Sequence, residues 1–488
     1  MLHKYTWMGR TATLLAFAVL FVSCGTKQAP APYGAVPSPY QWEWQKMETN
    51  LFLHFGPNTF TGVEWGNGKE SEEVFQPKAL DCRQWVSVAK AAGFKGLIIT
   101  AKHHDGFCLW PNPESTHTVA QCSWREGKGD VLRELSDACR EEGLKFGVYV
   151  SPWDRNHPSY GTPDYNQVFV HTLEHIYAQY GEIFEQWFDG ACGEGPNGKR
   201  QVYDWPLFNG TVYREEPQAI IFSDAGPGCR WVGNEEGHAG RTNWSTVKTA
   251  DLYPGQPDIH ELLNQGIKGA PDWAPAETDV SIRPGWFWRA SETPSVKSVE
   301  KLLKIWYESV GRNSLLLLNV PPDDRGLLDP VDSARLLEFR AALDDILSQD
   351  LAEGARVKAD AVRGRAFRAG RMLDDDENTY WAAPDGVTTA SFVVTLPQER
   401  TFNRVLLQEY IPLGQRVEHF CIDVPDGDGW KQIADETTIG YKRIVPVPET
   451  TASRIRVRIE SALACPTVSR FALYMDRYLN DDLLDSAI

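Results

Sequence analysis

Residues 183–189 read IFEQWFD, apolar at four of seven positions and ending on Asp189. An acid in that place either caps a turn or is held rigid for chemistry, and the end of a buried strand supplies such rigidity. A carboxylate nucleophile needs a second carboxyl group to move protons. In the double displacement of a glycosidic bond one acid attacks, and its partner serves first as acid and then as base. That partner belongs on a loop, among apolar neighbours that raise its pKa. Residues 228–237, GCRWVGNEEG, offer Glu235 or Glu236 beside Trp231, and Glu277 is a third candidate. Two other chemistries compete. His54, His103, His104 and Asp189 are metal-ligand types, but adjacent histidines would diverge in a regular strand, and imidazoles also bond neutral hydroxyls. Residues 193–198, GEGPNG, spell GxGxxG after a strand, yet residues 199–206 open no helix to receive a pyrophosphate. A flexible loop accounts for them better. No metal and no cofactor is expected.

The elements that must position these groups follow from periodicity. Residues 51–55, 96–100, 145–150, 183–188, 219–223, 280–282 and 314–320 are apolar runs of strand length. Between them, residues 81–92, 130–142, 166–180 and 296–311 carry apolar residues at helical spacing, with Asp130 as an N-cap. Repeated strand–helix units predict a parallel sheet closed into a (β/α)8-like TIM barrel, seven of whose strands are legible. In a barrel the strand ends converge on the C-terminal face. His54 lies in the first run and His103-His104 follow the second. Tyr149 and Trp153-Asp154 close the third, Asp189 the fourth and Asp224 the fifth. Arg283 and Trp286 close the sixth, and Asn319 the seventh. Seven such ends in succession read as one site rather than seven turns.

Beyond about residue 350 the helical pattern stops, and short strands are expected at 392–396, 404–407, 419–424, 442–447 and 454–459. In the last, Ile455, Val457 and Ile459 alternate with Arg454, Arg456 and Arg458, as in a half-buried strand. A β-sandwich over 352–478 is predicted after a barrel over 40–348. Residues 373–381, LDDDENTYW, resemble the early loop of discoidin-like, galactose-binding-type sandwiches; the acids suit either Ca²⁺ or a surface turn.

The 488 residues carry a formal charge of −17, which argues against nucleic acid as a partner. The 18 Trp, 17 Tyr and 21 Phe suit either core packing or stacking on sugar C–H faces. Lys4 and Arg10 precede an apolar run at 12–22, too short to span a bilayer, and then Ser23-Cys24-Gly25. This resembles a bacterial lipoprotein signal. It implies a signal over 1–24, lipidation at Cys24 and a Pro- and Ala-rich linker over 25–39. Membrane tethering through the lipid anchor would follow, in a Gram-negative cell envelope, on the periplasmic or outer-membrane side. The other eight cysteines show neither CxxC nor zinc spacing, and free thiols are expected.

Leu53-His54-Phe55-Gly56, Lys102-His103-His104-Asp105-Gly106-Phe107 and Trp187-Phe188-Asp189-Gly190 closely resemble, in order, signature segments of the family 29 glycoside hydrolases, the α-L-fucosidases. The resemblance runs from about residue 40 to 345. It implies a retaining mechanism on fucosylated glycans, with Asp189 as nucleophile. His54, His103 and His104 would bind fucose hydroxyls, Trp187 would wall the sugar, and Glu64 and Tyr149 would complete the pocket. Trp286 would pack on the methyl group of the 6-deoxy sugar. The segment from Arg230 to Glu235 resembles the subgroup acting on α-1,3 and α-1,4 branches, in which the matching acid is Glu235. Glu236 and Glu277 stay open as alternatives. So do a broader fucosidase that accepts α-1,2 linkages and a non-catalytic glycan-binding protein.

Overall fold

In the computed structural model, which describes residues 28–479, eight parallel strands close into a barrel. They are β1 Thr49–Leu53, β2 Gly96–Lys102, β3 Lys145–Val150, β4 Glu185–Trp187, β5 Ile220–Ser223, β6 Cys229–Trp231, β7 Ala276–Ser281 and β8 Ser314–Asn319. Their order around the barrel is β1-β8-β7-β6-β5-β4-β3-β2. Cys24 and its anticipated lipid lie outside the described residues. No described helix is long and apolar enough to cross a membrane.

Helices cover the strands, so a strand such as β2 (GLIITAK) is buried at every position and shows no alternation. The main ones are α1 Pro39–Met47, α2 Cys82–Ala91, α3 Val131–Glu142, α4 Asp164–Tyr180, α5 Trp205–Glu215, α6 Val299–Ser309 and α7 Pro330–Leu347. Asp81 caps α2 by accepting from the amides of Arg83 and Gln84, and Asp130 caps α3 through the amide of Arg133. The GxGxxG segment leads to α5 only at Trp205, after a stretch without helix.

The strand that sequence periodicity misses is β6, where a loop was expected. Its three residues follow β5 after residues 224–228 alone, yet it lies parallel to β5, with Cys229 beside Phe222 and Arg230 beside Ser223. Parallel neighbours ordinarily need a crossover of a dozen or more residues. Neither a helix pattern nor a long apolar run marks this one.

The C-terminal domain is a β-sandwich of antiparallel strands. They are β9 Arg356–Ala359, β10 Trp381–Ala382, β11 Ala390–Glu409, β12 Val417–Asp426, β13 Gly429–Thr437, β14 Arg443–Ala462 and β15 Thr467–Tyr474. Runs 392–396 and 404–407 prove to be parts of β11, and 442–447 and 454–459 parts of β14. Register shifts between Thr395 and Arg400 and between Phe402 and Arg404 break the alternation that would have joined them. β9, β10, β13, the last largely solvent-facing, and β15 were not anticipated. The acids of the 373–381 loop are paired: Asp374 with Arg371 and Thr379, Asp375 with Arg470, and Glu377 with Lys46. The eight described cysteines are all free.

The sandwich packs against residues 241–245. The Asn243 amide donates to Thr438 Oγ1 at 3.0 Å, and Gln415 bridges the carbonyl of Asn243 and the amide of Ser245. Inward from there, the fully buried Arg230 of β6 donates to Asn243 Oδ1 and to the carbonyls of Leu263 and Ala274.

Candidate active site

At the C-terminal mouth of the barrel lies a cavity of about 220 Å³. His54, Glu64, His103, His104, Tyr149, Trp187, Asp189, Glu235 and Trp286 all line it. Trp231 lies next door, in an adjoining cavity of about 480 Å³ that shares Trp187, Asp189, Ala191, Glu235 and Asp279 with the first. The adjacent histidines both face inward because β2 ends at Lys102, so the divergence expected within a strand does not apply. Their rings are 4.2 Å apart.

Burial keeps all three imidazoles neutral, lowering His54 to about 3, His104 to about 4 and His103 well below its ordinary value. Hydrogen bonds assign two of the tautomers. Asn319 Nδ2 donates to Ser281 Oγ and the Trp286 carbonyl, which turns its oxygen toward His54 Nδ1 at 2.9 Å. Nδ1 is therefore protonated, and Nε2 of His54 carries the lone pair. His104 Nδ1 lies 2.8 Å from Ser151 Oγ, whose own proton goes to the Trp153 carbonyl, so this ring too donates through Nδ1. His103 Nδ1 is buried without a partner among the described residues. Such rings accept hydrogen bonds from hydroxyl groups of a neutral ligand. The described trios with ligand atoms within 4.8 Å of one another are His419, Cys421, Asp435 and Glu185, Cys229, Glu277; neither contains a cavity histidine.

Asp189 lies two residues beyond the end of β4. Its Oδ2 accepts from Tyr149 Oη at 3.1 Å and lies 3.6 Å from His104 Nε2, while Oδ1 accepts from the Ala191 amide at 2.8 Å. Burial and the charge of Asp189 hold the Tyr149 phenol protonated, so it remains a donor. Tyr149 stacks on Trp187, which stacks on Phe222 at 3.8 Å. The Trp187 indole is pinned from below, donating to Glu277 Oε1 at 2.9 Å.

The three candidate acids separate by position. Glu277 is fully buried under Trp187 and does not line the cavity, and Glu236 points to solvent with its side chain 81% exposed. Glu235 stands on the loop after β6 and reaches the cavity. Desolvation raises its pKa, as do the charges of Asp189 and Glu64, against a 3.3 Å hydrogen bond from Trp286 Nε1. Glu64 accepts from the Trp286 amide and pairs with Arg289, which fixes the Trp286 loop. Phe52, Trp286 and Phe287 form an apolar wall around His54.

Sequence reasoning missed Phe52, Trp65, Phe287 and Asp279 among the lining residues. Asp279 accepts from Trp231 Nε1 at 2.8 Å. Its signal was present: Glu277, Asp279 and Ser281 alternate along β7, a period-two pattern hidden because only residues 280–282 looked apolar.

Comparison with known proteins agrees with this geometry. The family model described as "Alpha-L-fucosidase" matches residues 31–344, and the "F5/8 type C domain" model matches residues 357–474. The chain is 40% identical to alpha-L-fucosidase 1 of Arabidopsis thaliana over 93% of its own length and 90% of that protein. Among solved structures it resembles a glycoside hydrolase 29 family member from an unknown rumen bacterium. There the identity is 39% and the TM-score 0.81, over 92% of this chain and 79% of the other. It also resembles a Ruminococcus gnavus GH29 fucosidase in complex with fucose, at 33% identity and TM-score 0.85, covering 94% and 98% of the two chains.

Proposed function

The chain belongs to the α-L-fucosidase family, and from that premise we propose that it removes terminal α-1,3- or α-1,4-linked fucose from glycans with net retention of configuration. The observation that carries this reading is that Asp189 and Glu235 line one sugar-sized cavity beside three neutral imidazoles. Asp189 attacks the anomeric carbon as the bond to the leaving oxygen breaks, and Glu235 gives that oxygen its proton. The resulting fucosyl ester on Asp189 is opened by water, whose proton returns to Glu235. Both carboxyl groups end as they began.

The neighbouring residues have roles that follow from their chemistry. Nε2 of His54 and of His104, with His103, accept the sugar hydroxyls, and Glu64 adds a charged acceptor. Tyr149 and the Ala191 amide orient Asp189. Trp187 walls the ring, and Trp286 with Phe52 and Phe287 offers an apolar niche to the C6 methyl. Trp231 lies on the leaving-group side. The likeness of the Arg230–Glu235 segment to the α-1,3/1,4 subgroup supports the linkage. The lipoprotein-like segment supports tethering to the cell envelope through Cys24; Cys24→Ala should move the protein from the membrane to the soluble fraction.

The test is direct. NMR of the first-formed fucose from an aryl α-L-fucoside should show the α anomer, and β-fucose would overturn the mechanism. Release from a Lewis-type trisaccharide should exceed release from an α-1,2-fucosylated one; the reverse would overturn the linkage.

A further inference from the structure

One acid at the cavity rim has no part in the proton transfers. Asp224 follows β5, half-buried, and accepts from the Gly255 amide at 2.6 Å. Gly255 lies against Gly190, the residue after the nucleophile. A Cβ on Gly190 would fall 2.4 Å from Gly255 N and 2.5 Å from Asp224 Oδ2, and a Cβ on Gly255 would fall 2.4 Å from Gly190 O. Three chain segments thus meet with no room for a side chain at either glycine. The segment that Asp224 grips is the turn 253–256, closed by the Gln256 amide on the Tyr253 carbonyl. Its other root is tied by Thr249, which donates through both amide and hydroxyl to Asp272. Between these ties, Tyr253, 55% exposed, and Pro254 line the adjoining cavity together with Trp231 and Glu235. Asp189 and Glu235 line both cavities, so a leaving oxygen that takes its proton from Glu235 stands at the junction between them.

We propose that Asp224 is a positioning residue that latches the Tyr253 turn to the Asp189 segment, making that turn the wall against which the leaving-group sugar rests. The inference rests on the fucosidase reading above and deepens it: the substrate is an oligosaccharide whose sugar beyond the fucose is recognised, and Asp224 acts on that recognition through Gly255. An aryl fucoside has no such sugar and depends less on the wall.

The experiment compares kcat/KM for a Lewis-type trisaccharide with kcat/KM for an aryl α-L-fucoside. In Asp224→Ala the ratio should fall about tenfold, mostly through KM for the trisaccharide. Asp224→Asn keeps an oxygen that accepts from Gly255 and should restore the ratio to within about threefold of wild type. Tyr253→Ala, at an exposed turn where folding is not at stake, should lower the ratio about fivefold. Equal loss on both substrates in Asp224→Ala, failure of Asp224→Asn to rescue, or an unchanged ratio in Tyr253→Ala overturns the inference. An inert wild type would overturn the function and the inference together, whereas an active wild type with an unmoved ratio overturns the inference alone.

Discussion

At the scale of single residues the two carboxyl groups differ in surroundings, and their variants should fail differently. Asp189→Asn removes the proposed attacking group and should cost at least about 10³-fold in kcat on aryl fucosides and natural glycans alike. Glu235→Gln removes only the proposed proton donor. It should cost about 10²- to 10⁴-fold on a trisaccharide but far less on an aryl fucoside with a good leaving group. Equal losses on both substrates would count against the assignment. The pH profile carries a further check. The hydrogen bond from Trp286 Nε1 favours the charged form of Glu235, opposing the burial that raises its pKa. Trp286→Phe deletes that bond, so Glu235 should hold its proton to higher pH. The alkaline limb of kcat/KM should then move upward; a downward move would refute the argument.

At the scale of elements, the backbones of the loops after β4 and β6 touch, and Gly190→Ala tests that contact. The new Cβ collides with Gly255 N and Asp224 Oδ2 and should cost at least about tenfold in kcat/KM, with Asp189 displaced. Lower in the barrel, Glu185 and Glu277 each keep one oxygen without a partner, which a proton shared between them supplies. Burial raises both, Glu185 to about 7. A carboxyl whose folded pKa lies above its unfolded value stabilises the fold below the unfolded value and loses that contribution as pH climbs through the folded one. Melting temperature should therefore fall between about pH 4.5 and 8, and Glu185→Gln should flatten that fall by on the order of a few degrees in a thermal scan. These elements were unequally legible in the sequence. His103-His104 and Asp189 stood out because each ends a long apolar run, and parallel strands covered by helices yield such runs. β6 did not, because three residues with no helix between them and β5 leave no periodicity to read. Asp279 was lost inside β7, where inward-facing polar side chains serve the site rather than the core. Geometry also separated Glu235 from Glu236, which adjacency in sequence could not do.

At the scale of the whole molecule, the sandwich was legible as alternating strands but not its place against the barrel. That place depends on side-chain hydrogen bonds between residues far apart in sequence, as in Gln415 with Asn243 and Ser245. Gln415→Ala strands the buried Ser245 amide, while Asn313 still serves the Asn243 carbonyl, and should cost about 1–3 kcal/mol in denaturant unfolding. The same contacts reach the chemistry by a short path, from Thr438 and Gln415 to Asn243, to Arg230 in β6, and so to the loop bearing Glu235. Asp189 descends from β4, which the sandwich reaches by a longer path, from Glu377 to Lys46 of α1 and on from Trp44 to Glu185 at the start of that strand. No sandwich residue lines either cavity. On the proposed mechanism, proton delivery thus answers more directly than bond attack to a domain that never meets the sugar. Damage remote from the barrel should spare easily cleaved fucosides and announce itself first on stubborn natural ones.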